Sequence, residues 1–221
     1  MKKPIKIAVL FSGSASSARY LIDTDENYGK NYEIVVAISN KKDASGINYF
    51  VEKEIPVRCI NTKQFCLEYG FNGKIKDMPD DLRRSYFFKI CDFLELHQIN
   101  LIILSGFMLK IIKPILGYRP IINVHPADLS IKDPVTGKPK YTGDDAVTMA
   151  IEAGEGSTAS SIHVVTENVD EGEIIWISNH LNVVKGVSVK DHQEKMKFIC
   201  DGPAYKEALR RIYTGNFKFK N

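Results

Sequence analysis

The stretch Ile7–Ile22, IAVLFSGSASSARYLI, decides the fold: an apolar run, a Gly/Ser turn and a helical stretch follow one another without a break. The run begins at Ile5 and ends at Phe11, with Lys6 its only polar member. Such a run suits a strand buried on both faces of a parallel sheet. Working outward, Glu33–Ser39 reads as a second buried strand, and Ala44–Glu54 as a helix that ends before Pro56. Asp80 and Asp81 open a further helix, whose apolar residues Leu82, Tyr86, Ile90 and Phe93 recur at three- and four-residue spacing. Leu101–Leu104 is the next strand, Leu109–Leu116 a short helix and Ile121–Asn123 another strand. Strands alternating with helices predict an α/β fold, a Rossmann-like, mostly parallel sheet flanked by helices with right-handed crossovers.

The C-terminal third departs from this rhythm. Ile162–Thr166 and Ile174–Leu181 read as strands joined by the turn Asn168–Glu173, so a hairpin replaces the crossover. Ser188 and Asp191 form a capping box that starts a helix, and Gly202-Pro203 is expected to interrupt or bend it. The segment Ser130–Tyr141, SIKDPVTGKPKY, is the one evident irregular loop, placed where a mobile flap could cover a site.

Length and composition narrow the class. A chain of 221 residues suits a single domain, residues 1–221, and can bury a substantial core. A net charge of +3, carried by dispersed Lys and Arg, does not point to nucleic acid. No apolar run approaches the roughly 18 residues needed to cross a bilayer, and MKKPIKIAVLF lacks the apolar stretch of a signal peptide. Cys59, Cys66, Cys91 and Cys200 show no metal or disulfide spacing, so reduced thiols in a cytoplasmic protein are expected. His163 lies in the strand preceding the Asp170 turn, and His97, His180 and His192 have no acidic or cysteine companion at ligand spacing, so a metal site is not expected. Trp176 reads as packing.

Three segments, Ser12–Ser17, Ser105–Lys110 and Asn123–Asp128, each stand at the carboxyl end of an expected parallel strand, the edge where open α/β sheets bind ligands. The first offers backbone N–H groups at a helix start to an anion, but matches neither dinucleotide nor nucleoside-triphosphate loops. The third lies within Ile121–Leu129, IINVHPADL, and Asp170 follows in Val164–Ile175, VVTENVDEGEII. An amide donor, an imidazole and a carboxylate can together stabilise an oxyanion, move a proton and hold the ring charged.

The core Asn123-Val124-His125-Pro126 resembles the signature of the folate-dependent formyltransferases. Ile7–Ile22, Val35–Gly46, Leu101–Ile111 and Ser160–Ile175 resemble that family's blocks in the same order and at similar spacing. The resemblance implies the formyltransferase fold, with a C-terminal β-hairpin and helix. It also implies transfer of a formyl group from 10-formyltetrahydrofolate to an amine, the acceptor being glycinamide ribonucleotide, in purine synthesis. It assigns catalysis to Asn123, His125 and Asp170. It places folate on Phe107, Met108, Leu109, Lys110 and Ile111, and on Thr166, Glu167, Asn168 and Val169. The substrate phosphate falls to Ala15, Ser16 and Ser17, and Arg83 and Lys197 face the substrate. Partners are small molecules only, without nucleic acid or membrane, on a monomer or homodimer.

The sequence departs from the family pattern chiefly on the acceptor side. Ala15 stands for a glycine, Ser17 for an asparagine and Leu109 for an arginine. Asp144-Asp145 lie where a histidine is expected. The family's Asp-Gly-Gly-Pro becomes Asp170-Glu171-Gly172-Glu173, and its C-terminal Glu maps to Cys200 unless Asp201 substitutes. Other readings are an amino-sugar nucleotide formyltransferase, a 10-formyltetrahydrofolate hydrolase, or a folate- or nucleotide-binding module without turnover. Family hydrolases carry an N-terminal regulatory domain, and the formyltransferases acting on initiator tRNA a further C-terminal one. Neither is expected here.

Overall fold

The computed structural model describes residues 2–220. In chain order the elements are β1 (Ile5–Phe11), α1 (Ser16–Thr24), β2 (Tyr32–Ser39), α2 (Gly46–Glu52), β3 (Val57–Cys59), α3 (Thr62–Glu68), α4 (Asp80–Glu95), β4 (Leu101–Leu104), α5 (Ile115–Tyr118) and β5 (Ile121–His125). Then follow α6 (Ala146–Glu152), β6 (Ser157–Thr158), β7 (Ser161–Val164), β8 (Ile174–Ile177), β9 (Leu181–Asn182), α7 (Val189–Met196), a π-helical turn (Lys197–Asp201) and α8 (Gly202–Thr214). The chain forms two compact units, one from the segment up to Ala15 together with Asn27–Ile121, the other from Ser16–Glu26 and the chain from Ile122 onward.

In the first unit β1 pairs in parallel with both β2 and β4, and β2 pairs in parallel with β3. Ile7 to Phe11, Val36 to Ile38, and Ile102 and Ile103 are all fully buried, as an apolar run covered on both faces must be. Against this core α4 buries Tyr86, Phe87, Ile90 and Leu94, the expected three- and four-residue recurrence. The Tyr86 hydroxyl donates to the Ile60 carbonyl at 2.6 Å, so its one polar atom is satisfied. Asn61 caps α3 by accepting from the Gln64 amide at 2.7 Å.

In the second unit β5 pairs antiparallel with β7, and β7 antiparallel with β8. The expected capping box is present: Ser188 accepts from the Asp191 amide at 3.0 Å and starts α7. Gly202 is required by close approach, since a Cβ there would lie 2.2 Å from the Tyr20 ring of α1.

Two expectations are corrected. Leu109–Leu116 is not a helix; only Ile115–Tyr118 is helical. Phe107, Leu109 and Ile111 are buried while Met108 and Lys110 are exposed, an alternation of period two, and Pro114 disfavours helix in the residue before it. Ile174–Leu181 is not one strand: β8 stops at Ile177, and β9 pairs instead with β6. The C-terminal helix is interrupted where Gly202-Pro203 was expected to interrupt or bend it: α7 ends at Met196, a π-helical turn follows, and the α-helix resumes at Gly202. Pro203 sits in the first turn of α8, where its missing N–H costs nothing, and the irregularity falls on the π-helical turn before it.

Candidate active site

In the first unit the loop after β1 is tied to the loop after β4. The Ser12 amide donates to the Gly106 carbonyl at 3.0 Å, and the Ser12 hydroxyl accepts from the Met108 amide at 2.9 Å. Gly106 has φ +70°, a left-handed turn that aims the following residues. Of the segment expected to meet folate, Phe107, Leu109 and Ile111 serve the core, while Met108 keeps 57% of its surface and Lys110 is exposed. Ala15 has φ +52°, the region that favours the glycine it replaces. Ser16 and Ser17 open α1, with Ser17 buried. Arg83 is buried too, and its guanidinium donates to Asp80 at 2.6 Å and to the Met78 carbonyl at 2.9 Å.

The second unit gathers Asn123, His125 and Asp170. Asn123 and His125 alternate along β5, so they point to the same face of the strand. Asp170 arrives from the turn after β7, itself at φ +57°. Such a conformation is uncommon in a non-glycine residue and clusters at functional positions. The turn is held by Gly172, where a Cβ would meet the Val164 carbonyl at 1.7 Å, and by the Val164 amide donating to the Glu173 carbonyl at 2.9 Å. Thr166 donates to the Asn168 carbonyl at 3.0 Å, and Glu167, Asn168 and Val169 are exposed.

His125 is 4% exposed and bracketed on both ring nitrogens. Nδ1 lies 3.4 Å from Asp170 Oδ2, and Nε2 lies 2.9 Å from the Tyr141 carbonyl. A carbonyl only accepts, so Nε2 carries a proton there. Asp170 Oδ2 also accepts from the Gly143 amide at 2.8 Å. The irregular loop therefore delivers two backbone contacts to the cluster through its outgoing end. The loop itself is internally bonded: the Asp133 amide donates to the Lys138 carbonyl at 2.8 Å, and Lys138 reaches Glu171 at 2.9 Å.

A second imidazole enters the cluster: His163, read from the sequence only as lying in the strand before the Asp170 turn. His163 is buried on β7, directly across from Asn123 in the β5–β7 register. Its Nε2 lies 3.5 Å from Asp170 Oδ1 and 3.3 Å from Asn123 Nδ2, and its Nδ1 lies 3.1 Å from the Val164 carbonyl. Burial pushes this imidazole well below its ordinary value despite the Asp170 charge, and His125 adds to the depression. His163 is thus held neutral by its burial. His180 also has an acid, Asp128, at 3.5 Å, but it is half-exposed. Among the described residues no group of His, Cys, Asp and Glu is arranged to hold a metal.

Ser161 was missed by sequence reasoning as well. It lies across from His125, donates to the Ala127 carbonyl at 2.7 Å and accepts from the Leu129 amide at 3.0 Å, so it clamps the chain that leaves the histidine. The signal was present: Ser161 and His163 alternate with Ile162 and form a polar face on a short strand. On the C-terminal side, Lys197 pairs with Glu194 at the surface at 2.5 Å. Asp201, at the π-helical turn, accepts from Ser160 at 2.6 Å, and burial pushes its carboxyl up to about 6. Cys200 is buried. The guanidinium of Arg211 lies 4.1 Å from the centroid of the Trp176 ring.

Residues 5–200 match the family model described as formyl transferase. The human trifunctional purine biosynthetic protein adenosine-3 is 29% identical over 97% of this chain and 19% of its own length. The chain thus spans about a fifth of that relative. Phosphoribosylglycinamide formyltransferase of Haemophilus influenzae is 32% identical over 77% of this chain and 70% of its own. Among solved structures, glycinamide ribonucleotide transformylase 1 from Symbiobacterium toebii superposes with a TM-score of 0.79 at 24% identity, covering 98% of this chain and 91% of that one. A Coxiella burnetii phosphoribosylglycinamide formyltransferase in complex with CHES gives 0.77 at 26% identity, covering 99% and 92%. These superpositions carry the formyltransferase fold.

Proposed function

Since the chain belongs to the formyl transferase family, we propose that it transfers the formyl group of 10-formyltetrahydrofolate to the amine of glycinamide ribonucleotide, a step of purine synthesis. The observation that supports this best is the buried contact of His125 with Asp170, with Asn123 on the same face of β5. The acceptor amine attacks the formyl carbon, a C–N bond forms, and the carbonyl electron pair moves onto oxygen. Asn123 and His125 donate N–H bonds to that oxyanion, donors of a kind whose single loss costs about 10²–10³ in rate. An oxyanion is a stronger acceptor than the Tyr141 carbonyl, so the His125 Nε2–H shifts its bond as charge develops. Collapse breaks the bond from the formyl carbon to the folate nitrogen, which takes a proton from His125. In this cycle the ring is the imidazolium before that transfer, with Asp170 offsetting its charge; it is neutral afterwards and regains its proton from the nitrogen that attacked. The products are the formamide and tetrahydrofolate.

The folate role of Phe107–Ile111 and Thr166–Val169, and the substrate role of Ala15, Ser16, Ser17, Arg83 and Lys197, are part of this proposal, as are a single formyltransferase domain and a cytoplasmic setting. Among the described residues no helix is long and apolar enough to cross a membrane. The test is turnover of 10-formyltetrahydrofolate with glycinamide ribonucleotide, an amino-sugar nucleotide, or no acceptor. Tetrahydrofolate release that requires glycinamide ribonucleotide is the expected result. Release without an acceptor, or only with the sugar nucleotide, would overturn it.

A further inference from the structure

We propose that His163 is a positioning residue that fixes which way round the Asn123 amide faces, so that an N–H and not the carbonyl is offered to the reacting oxygen. The inference rests on the formyl-transfer reading above. Asn123 carries a donor and an acceptor of nearly equal shape on one side chain, and only the donor end is useful to an oxyanion. Something must therefore choose between two orientations about 180° apart.

The neighbours of His163 make that choice. Its Nδ1 lies 3.1 Å from the Val164 carbonyl, which can only accept, so the proton of the neutral ring is on Nδ1. Nε2 is then a bare lone pair. Two groups face it: Asp170 Oδ1 at 3.5 Å, which has no hydrogen to give, and Asn123 Nδ2 at 3.3 Å, which has two. Only Asn123 can satisfy this buried acceptor, and only with its NH₂ turned towards it. Reversing the amide would set two acceptors against each other at the buried His163 ring, at a cost of about 1–3 kcal/mol for each unsatisfied buried group. One N–H of Asn123 is thus spent on His163, and the second is left free to donate elsewhere. The register is suited to the task, because Asn123 and His163 are directly opposite in the β5–β7 ladder. A bulge between Ile162 and His163 in the pairing with β8 re-aims the strand at this point. Neutrality of His163 is part of the device: a second proton on Nε2 would turn the ring towards Asp170 and leave Asn123 without its acceptor.

The test uses two substitutions of similar polarity and size together with one measurement on the unaltered protein. His163→Gln puts an amide oxygen near the position of Nε2, whereas His163→Asn reaches only the position of Nδ1 and withdraws the acceptor. His163→Gln should keep kcat within about threefold of wild type. His163→Asn should lose about 10- to 100-fold in kcat, with KM for both substrates within threefold, since at most one oxyanion donor is misdirected. In the His163→Asn background a further Asn123→Ala should cost much less than it does alone. Ring ¹⁵N shifts of wild-type His163 at pH 7 should show Nδ1 protonated and Nε2 bare. Equal kcat for the two variants, additive effects with Asn123→Ala, or a protonated Nε2 would each overturn the proposal. A wild-type protein with no formyl transfer would overturn the underlying reaction instead, and the tautomer measurement would still decide whether His163 can orient the amide.

Discussion

Strands β4 and β7 have the same length and almost the same burial, yet they carry different burdens. β4 reads Leu-Ile-Ile-Leu, and every residue is buried apolar surface. β7 reads Ser-Ile-His-Val, with Ser161 and His163 as deeply buried as Ile162. Burying a polar group without a partner costs several kcal/mol, so such residues persist only where the surroundings satisfy them. On β7 they are satisfied, by Ala127, Leu129, Val164 and Asn123. β4 buries apolar surface alone, and β7 buries polar groups that bond the neighbours of Asn123 and His125.

Substitutions should separate these two burdens. The largest effect on stability belongs to β4: Ile103→Ala, at a fully buried position, should lose about 2–5 kcal/mol in urea unfolding. The folded fraction should keep its kcat within threefold. A matching loss of kcat per folded molecule would mean that β4 also tunes the chemistry, and the contrast with β7 would fail.

A smaller effect sharpens the contrast at the edge of β7, where Ser160 bonds Asp201. The Asp201 carboxyl is raised to about 6 from 3.8, so the native state holds its proton between those values while the unfolded chain does not. The stability this group contributes is therefore complete below about pH 4 and lost as pH rises through about 6. Asp201→Asn, neutral throughout, should gain on wild type by about 2–3 kcal/mol between pH 4 and pH 7. Unfolding curves at the two pH values decide it, and a constant difference would show that the carboxyl is not desolvated.

The smallest effect lies at Ala15, in the loop after β1. Replacing it with glycine relieves a left-handed φ of +52°, worth about 1–2 kcal/mol, but deletes a buried methyl worth about 0.8 kcal/mol and adds freedom to the unfolded chain. The balance predicts a stability change under about 1 kcal/mol. A stabilisation above 2 kcal/mol would show that the alanine strains the loop more than its geometry implies.

The sequence made the apolar strands legible, because the nearly unbroken apolar runs Ile5–Phe11 and Leu101–Leu104 admit little else. The helix Asp80–Glu95 was equally plain from its periodicity. The pieces β3, α3, α6 and β6 were not, since two to seven residues of mixed polarity show neither an apolar run nor enough repeats of any period. The false helix at Leu109–Leu116 came from treating an apolar segment as helical when its burial alternates. Asn123, His125 and Asp170 could be named because their side-chain types announce their chemistry and the family likeness fixed their order. Tyr141 could not, because it acts on His125 through a backbone carbonyl that every residue possesses. His163 escaped because its partner is set by strand register across forty positions of sequence, not by spacing along the chain.

The most direct test of the account is a single purified variant, His125→Ala, measured for kcat and for folate affinity together. If the ring acts in the transition state, kcat should fall by about 10³-fold or more, since both an oxyanion donor and the proton source are lost, while the folate dissociation constant stays within threefold. A kcat within threefold of wild type, with circular dichroism showing an intact fold, would contradict the assignment of His125 as the catalytic group.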